Sequence, residues 1–582
     1  MRFWEDMFWP YWCIILVFSL FWWSIYAAYM QHICRVYAPY MPRIWMWTYG
    51  DVVFGRVFSF GLFLLKLVFL QILFCIIARL FMGIIARQTI KGSIANYLGV
   101  AIGFVTTFFV LTDCLTAEEI GLTRILVDAA MLFSSLAMLG TSSSIVRFFP
   151  YFKEADGSDH GFFAWAMLLP LVGFVIFAVL FFVGHDTIVR IYSERSALFT
   201  NYVFWLLPLT FFALYMSVFE ASANVLMRIA IPKFVREVFV RLCNLVSYLL
   251  YGHGIVSLDM FVVLFCSSYA LAALVDFVYL MMLGKISFCI DRSFMTPALA
   301  KNILSYTLLV TVIGITSNVQ IFNSLFIGAK GGLQLAGIYT IAAYIANVIG
   351  VPSRSLMAIS GPVMAQTIKD NDTVALNRLV QNVSLHQLLV ASLLYFFILI
   401  NLDALYSVIP HGAEYAGGIS VVLILGLNNI LAQAFSPVGT VLSFSRSYAY
   451  SLPFSLLMSA TAIVLNLTLI PVMGVSGAAA ASLGATLVYY AAMLTFVWVR
   501  LGVGVFSWRQ MRVIGIMAVL VVMYLLWSWL LSPLVGHVLI DAVLRTVVLG
   551  VVALWLVLRF KVSDDVNKLI VKFVPLLRRW QR

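Results

Sequence analysis

The chain has 582 residues, of which 63% are apolar and 10% charged, with a formal net charge of +12. A water-soluble domain is nearer half apolar and a quarter charged, so most of this surface has to face lipid. The excess Lys and Arg fall in short gaps between apolar runs, a topology signal rather than a nucleic-acid face, and no nucleic-acid partner is expected.

Apolar runs of about 20 residues match helices that cross the roughly 30 Å hydrocarbon core. Such helices satisfy their own backbone groups, as lipid demands. The alternation of a transmembrane barrel is absent. The expected class is therefore all-α and polytopic.

Two runs come first, near 9–30 and 57–81. Their intervening segment would be an outer loop, yet it carries Arg35, Arg43 and Arg56, against the positive-inside rule. Met82 directly precedes GIIARQTIKGSIANYLG, which reads like a natural amino terminus. Residues 1–81 are thus either an appended helical pair or the product of a misassigned start site. Fourteen further runs follow, near 92–112, 121–146, 162–183, 201–226, 232–252, 258–283, 302–327, 335–359, 384–402, 417–436, 452–471, 475–499, 512–531 and 539–558. With both ends of this core in the cytoplasm, the inner gaps and tail hold most of the positive charge, including Arg147, Arg228, Lys233, Arg236, Arg241, Lys369 and Arg500. The outer side holds only Arg124, Arg190, Arg195, Lys330 and Arg545, and Arg354 falls inside a run. The longest gap, about 360–384, is on the inner side, and the outer gaps are short.

The seven cysteines show no metal-ligand spacing and read as small apolar helix residues. There is no GxxxxGK[ST] phosphate loop. No metal and no cofactor is expected.

A weak internal repeat sets the plan. EEIGLTRILVDAAMLF (118–133), followed by HDTIVRIYSERSALFTNY (185–202), is echoed by LAGIYTIAAYIANVIG (335–350), followed by LDALYSVIPHGAEYAGG (402–418). Gly121 corresponds to Gly337 and Asp186 to Asp403, an offset of 216 or 217 residues. Each copy then has a glycine opening its second helix and an Asp just after its third. The plan is an N-terminal extension (1–81), an N-lobe of six helices (82–299) and a C-lobe of six (300–500) in parallel repeat. Two more helices (501–559) and a basic amphipathic tail (560–582) complete it. Transporters are commonly built from such repeats, and the tail suits an anionic leaflet.

Several stretches carry a family resemblance. RQTIKGSIANYLGVAIGF (87–104), LTAEEIGLTRILVDAAMLFSSLAMLGTSSSIVRFFPYF (115–152), VIPHGAEYAGG (408–418) and NLTLIPVMGVSGAAAASLGAT (466–486) resemble motifs of the bacterial polysaccharide flippases. These belong to the multidrug/oligosaccharidyl-lipid/polysaccharide exporter superfamily. The resemblance covers about residues 83–560 and not 1–81. It implies two lobes around a central cavity, alternating access, and an undecaprenyl-diphosphate-linked oligosaccharide moved from the inner to the outer leaflet of the cytoplasmic membrane. It implies lipid and glycan assembly machinery as partners. Its relatives include drug exporters, so a cation-coupled multidrug exporter is the alternative. A membrane glycosyl polymerase or ligase is a further one, and would want a sizeable outer domain.

Charges within spans usually face a cavity or a partner. Arg354, in VPSRSLM, either holds a diphosphate through its planar fork or snorkels to the surface. Arg147 ends the second run, where the resemblance expects an arginine; it is a substrate ligand or an interfacial anchor. Arg87 and Lys91 share a face at i,i+4 and offer the same two readings. Glu220, with Asn224 at i+4, is the candidate for ion coupling. Asp128 and Asp276 read as structural acids, and Arg124 and Lys330 as solvated outer charges. Thr316, Gln320 and Asn323 form an amide stripe, with Asn318 nearby, and Asn429 and Gln433 form another. Such stripes suit sugar hydroxyls or interhelical hydrogen bonds.

Because residues 1–81 lack the charge logic of the core, their deletion is expected to leave a membrane-inserted, monodisperse protein. Size-exclusion and thermal-transition measurements on the truncated chain test this; aggregation confined to the truncation would make the segment structural.

Overall fold

A computed structural model of the protein describes residues 95–96, 98–152, 160–283, 301–303, 305–307, 310–311, 319–535 and 537–563. Residues 1–81 and the tail beyond Ser563 lie outside this set, as do Arg87 and Lys91. The described residues are helical with no strand. The chain is an all-α polytopic membrane protein: eleven described helices are long and apolar enough to cross a bilayer.

In chain order the helices are α1 (Leu98–Cys114), α2 (Ala117–Ala137), α3 (Thr141–Phe152), α4 (Phe162–Ser193), α5 (Ala197–Val225) and α6 (230–252). Then come α7 (Leu258–Met282), α8 (Val319–Lys330), α9 (Leu333–Asn347), α10 (Val351–Lys369), α11 (Thr373–Ile400) and α12 (Gly412–Phe444). The last four are α13 (Tyr448–Met473), α14 (Val475–Leu501), α15 (Trp508–Leu534) and α16 (Val538–Arg559). Every one of the fourteen core runs carries helix, but two of them are broken. The second divides into α2 and α3, and the eighth into α9 and α10 through a 3₁₀ turn at Val348–Gly350.

Local chemistry fixes the ends. Thr116 caps α2: its hydroxyl accepts from the Glu119 amide, and the Glu119 carboxylate accepts from the Thr116 amide at 2.9 Å. These reciprocal bonds satisfy two orphan donors. Ser507 and Gln510 repeat the device at α15. Between α13 and α14 the turn is a single residue, Gly474, at φ +57°. Only glycine adopts that conformation without penalty. Beyond it Gly477, Ala478, Ala479 and Ala481 are buried, and a Cβ at Gly477 would lie 2.4 Å from the Leu469 carbonyl. Small residues let the two backbones approach where lipid supplies no hydrophobic drive.

The crossing of α2 and α9 is tighter still. A Cβ on Gly121 would fall 1.9 Å from the Leu333 carbonyl, and one on Gly337 would fall 1.9 Å from the Ala117 carbonyl. The contact is reciprocal. Residues 117 and 121 meet residues 337 and 333, their own counterparts under a shift of 216, as a two-fold contact requires.

Several helices outrun the expected spans. α4 continues through HDTIVRIYS to Ser193, so Asp186 lies inside it rather than after it, while Asp403 opens a separate short helix, Leu402–Val408. The inner gap at 360–384 reduces to a short turn at 370–372, because α10 reaches Lys369 and α11 starts at Thr373. A helix of 32 residues is about 48 Å long. Its polar end leaves the roughly 30 Å hydrocarbon core and stays helical in the headgroup layer, which hydropathy alone does not reveal.

Gly337→Val is expected to force α2 and α9 apart at an overpacking cost of about 1–3 kcal/mol. The thermal transition of the purified protein should fall by several degrees, while Gly184→Ala, where no atom lies within 4 Å of the added Cβ, should leave it unchanged.

Candidate functional site

The break between α2 and α3 builds one wall of a pocket of about 490 Å³. Leu139 and Gly140 have φ of +46° and +67°, and a Cβ on Gly140 would lie 2.5 Å from the Thr307 carbonyl. The Ser144 and Thr307 hydroxyls pair at 2.8 Å across the same contact. Restarting there, α3 presents Ser142, Ser143 and Arg147 to the pocket. The Ser142 hydroxyl also donates to the Ser217 carbonyl of α5 at 3.3 Å.

Arg147 and Glu220, separate candidates in the sequence, meet in this pocket. Tyr306 and Arg236 complete its polar lining with Ser217 and Asn224. The Arg147 guanidinium stands 4.2 Å from the centroid of the Tyr306 ring and 5.6 Å from that of Phe148. An aromatic face holds a cation without neutralising it. Glu220 accepts from Arg236 Nη1 at 2.6 Å. One helical turn along, Asn224 Oδ1 is buried without a hydrogen-bond partner among the described residues, and Asp276 Oδ1 on α7 is in the same condition. Asp276 lies within the field of both Glu220 and Arg236.

Two arginines assigned to an inner gap are in the bundle. Arg236 and Arg241 both belong to α6, which begins at Ala230 and contains a π turn at Val235–Phe239. Arg354 is therefore not the sole cation within a span. π turns are rare and frequent at functional sites. The sequence signal was present in VREVFVRLCN, where both arginines sit among residues spaced for burial.

The other candidates are spread more widely. Arg354 lies in the first turn of α10 and is exposed, with no ion pair among the described residues. Its neighbour Ser353 donates to Gln433, and Asn429 donates to the Ala346 carbonyl at 2.8 Å. This second stripe therefore braces α12 against the 3₁₀ interruption between α9 and α10. Asn323 is fully buried. It donates to Tyr339 at 2.9 Å and to Ser482, and accepts from Asn466 at 2.8 Å, tying α8 to α9, α13 and α14. Gln320 lies on α8 three residues before it; Thr316 and Asn318 fall outside the described residues. Arg124 is no solvated loop charge: it lies inside α2 and pairs with buried Asp128 at 2.7 Å, which also accepts from Ser324. The Lys330 carbonyl, at the end of α8, accepts from Arg195 at 2.9 Å.

No family model matches the sequence, and no curated protein matches it significantly. Solved structures do match. A lipid II flippase, MurJ, in an inward closed conformation is similar with a TM-score of 0.63 and 13% identity, over 81% of this chain and 100% of that one. An inward-facing multidrug resistance MATE family transporter of the MOP superfamily is similar with a TM-score of 0.51 and 14% identity, over 69% of this chain and 94% of that one. This chain has the fold of the multidrug/oligosaccharidyl-lipid/polysaccharide exporters. Both similar proteins are named as transporters rather than enzymes. At such low identity the likeness carries the exporter fold and leaves the cargo to the chemistry of the site.

Within the exporter fold the Asn323 network is fully enclosed, so its side chains are committed to neighbouring helices. Asn323→Ala removes one partner from each of three buried groups, at about 1–3 kcal/mol for each group left unsatisfied. It is expected to lower the thermal transition markedly, whereas Arg147→Gln, at an exposed side chain, should lower it little.

Proposed function

We propose that the chain is an inner-membrane flippase carrying a lipid-linked oligosaccharide, an undecaprenyl diphosphate bearing glycan, from the inner to the outer leaflet for polysaccharide or lipopolysaccharide assembly. On this reading helices α1–α7 and α8–α14 are the moving lobes, related by the 216-residue repeat, and α15–α16 are accessory. The partners are the lipid-linked glycan, membrane lipids and the machinery that builds the glycan.

One observation carries the reading: Arg147 and Arg236 converge with three serines and an asparagine on one pocket within an apolar bundle. Phosphate oxygens take charge-assisted bonds from guanidinium, and hydroxyls and amides suit the first sugars. Desolvating an ion costs several kcal/mol or more, so a diphosphate needs fixed cations along its path. The isoprenoid tail meets no such barrier and can stay in lipid. Arg354, with Arg87 and Lys91, would add positive charge at the inner mouth. The named cargo of the lipid II flippase is of the same lipid-linked kind.

A second reading has its own support. Glu220 lines the same pocket and interacts electrostatically with Asp276 on α7, and a carboxylate within a span suits coupling to H⁺ or Na⁺ in a multidrug exporter. In the flippase Glu220 serves instead to hold Arg236 until substrate arrives.

The test is surface glycan in a strain whose own copy is deleted, with protein level followed in parallel. Arg147→Ala and Arg354→Ala are expected to insert normally and to abolish export. Arg354→Lys should restore it only in part, since ammonium keeps the charge but loses the bidentate fork. Full export by well-expressed alanine variants, or drug efflux without glycan export by the unmodified protein, would overturn the flippase in favour of the exporter.

A further inference from the structure

We infer that Arg241 is a second anion-binding station, deeper than the pocket, at which the diphosphate replaces contacts that Arg241 makes with α1 and α9. The inference rests on the flippase reading and adds a residue that the pocket does not contain.

Depth is the first argument. Arg236 is six residues from the start of α6 and Arg241 eleven. At 1.5 Å per residue these are roughly 9 Å and 16 Å along the axis, the latter about half of a 30 Å core. An arginine near the bilayer midplane is expensive and marks a pathway unless it is fully paired.

Arg241 is not fully paired. Its Nη1 donates to the Gly99 carbonyl at 2.9 Å and lies 3.4 Å from the Tyr344 hydroxyl; its Nη2 lies 3.4 Å from Glu237. Guanidinium has five donors, and only one of these contacts is short. A third of the side chain remains exposed. By contrast, Arg124 and Arg236 each hold a carboxylate at 2.6–2.7 Å.

The surroundings are shaped for this group. A Cβ on Gly103 would lie 1.8 Å from Arg241 Nη1 and 2.4 Å from the Tyr344 hydroxyl, so the glycine is a notch that the guanidinium fills. Gly99, one turn earlier, lets α1 meet α6: a Cβ there would lie 2.6 Å from the Glu237 carbonyl. Both helices depart from α geometry beside the notch, α6 at Val235–Phe239 and α1 at Thr106–Leu111. Tyr344 belongs to α9, the helix that crosses α2 at the paired glycines, and packs on Phe108 of α1 at 5.5 Å. Arg241 therefore touches α1 and α9 through neutral acceptors and meets the Glu237 carboxylate of its own helix only at 3.4 Å; a diphosphate oxygen outcompetes the neutral pair because a charged acceptor makes the stronger bond. On this reading an anion passes from Arg147 and Arg236 to Arg241, and its binding there replaces the Arg241 contact with α9.

The experiment measures binding of farnesyl diphosphate to the purified full chain in nanodiscs, with inorganic pyrophosphate and farnesol as comparison probes. The unmodified protein should bind farnesyl diphosphate at least about tenfold more tightly than either. Arg241→Gln should weaken it about tenfold or more, the loss of a charged hydrogen bond. Gly103→Ala keeps the charge but fills the notch, and should weaken binding as well. Tyr344→Phe removes a competing acceptor and should tighten binding; this third variant decides the matter should Arg241→Gln fold poorly. Failure of the unmodified protein to bind, equal affinity for pyrophosphate, or indifference to Arg147→Gln would sink the flippase reading itself. Binding that is lost in Arg147→Gln but unchanged in Gly103→Ala and Tyr344→Phe would overturn the Arg241 station alone.

Discussion

A charge inside hydrocarbon has to find its counterpart within the protein, and this constraint orders the whole molecule. Lipid-facing helix surfaces are apolar because nothing solvates a polar group there. The charges that remain in the spans are gathered where helices converge. Arg124 and Asp128 join α2 to α8 through Ser324. Glu220 and Arg236 join α5 to α6. Asp541 and Arg545 join α16 to α15 through Trp527 and Ser532. Each pair is expensive to break, because removing one partner strands the other in a medium of low dielectric.

Backbone geometry decides where such charges can be open to a ligand. The reciprocal glycine contacts clamp α2 on α9 with no side chain between them. Past the clamp both helical rods are interrupted, at Leu139–Gly140 on one side and Val348–Gly350 on the other. The two rods cannot stay in backbone contact beyond their interruptions, and α3 turns its serines and Arg147 toward α5 and α6. A tight crossing at one end and broken helices at the other is how a closely packed bundle keeps a pocket.

Much of this was legible in the chain. All fourteen apolar runs carry helix, and eleven of the described helices are long and apolar enough to cross, because hydropathy and span length follow from the same bilayer thickness. The two glycines paired by the weak repeat, Gly121 and Gly337, meet at the α2–α9 crossing. The interruptions were not legible. Leu139 and Gly140 fall inside one hydropathy run, and the Thr307 carbonyl that a Cβ on Gly140 would strike is far away in sequence. Arg236 and Arg241 fall inside the run at 232–252 yet count by sequence alone with the inner-gap charge, because a charge soon after a gap reads as part of the gap; the π turn beside them leaves no compositional trace. Periodicity put Asn323 and Asn429 on helix faces correctly. It could not say that those faces meet Tyr339 and Ala346, because the partner of an amide is a tertiary fact.

The partners of the cations then sort them by what they can still do. Arg545 is buried, holds Asp541 at 3.2 Å and lies 5.5 Å from the Tyr524 ring; its charge is spent on the register of α15 against α16. Arg124 is spent likewise on Asp128. Arg236 is neutralised by Glu220, but that pair faces an open pocket and can be exchanged for another anion. Arg147 rests on an aromatic face, which cancels no charge, and Arg241 donates its one short bond to a carbonyl, with the Glu237 carboxylate at 3.4 Å. Arg354 is exposed with no acid beside it among the described residues. Positive charge left uncancelled inside a bilayer raises the energy of the empty protein, and a structural role is served better by a pair. An anion that enters the bundle lowers the energy of these groups as they lower its own. On the proposed flippase reading, that mutual relief is what would favour Arg147, Arg236 and Arg241 over the remaining span charges as stations for a negatively charged headgroup.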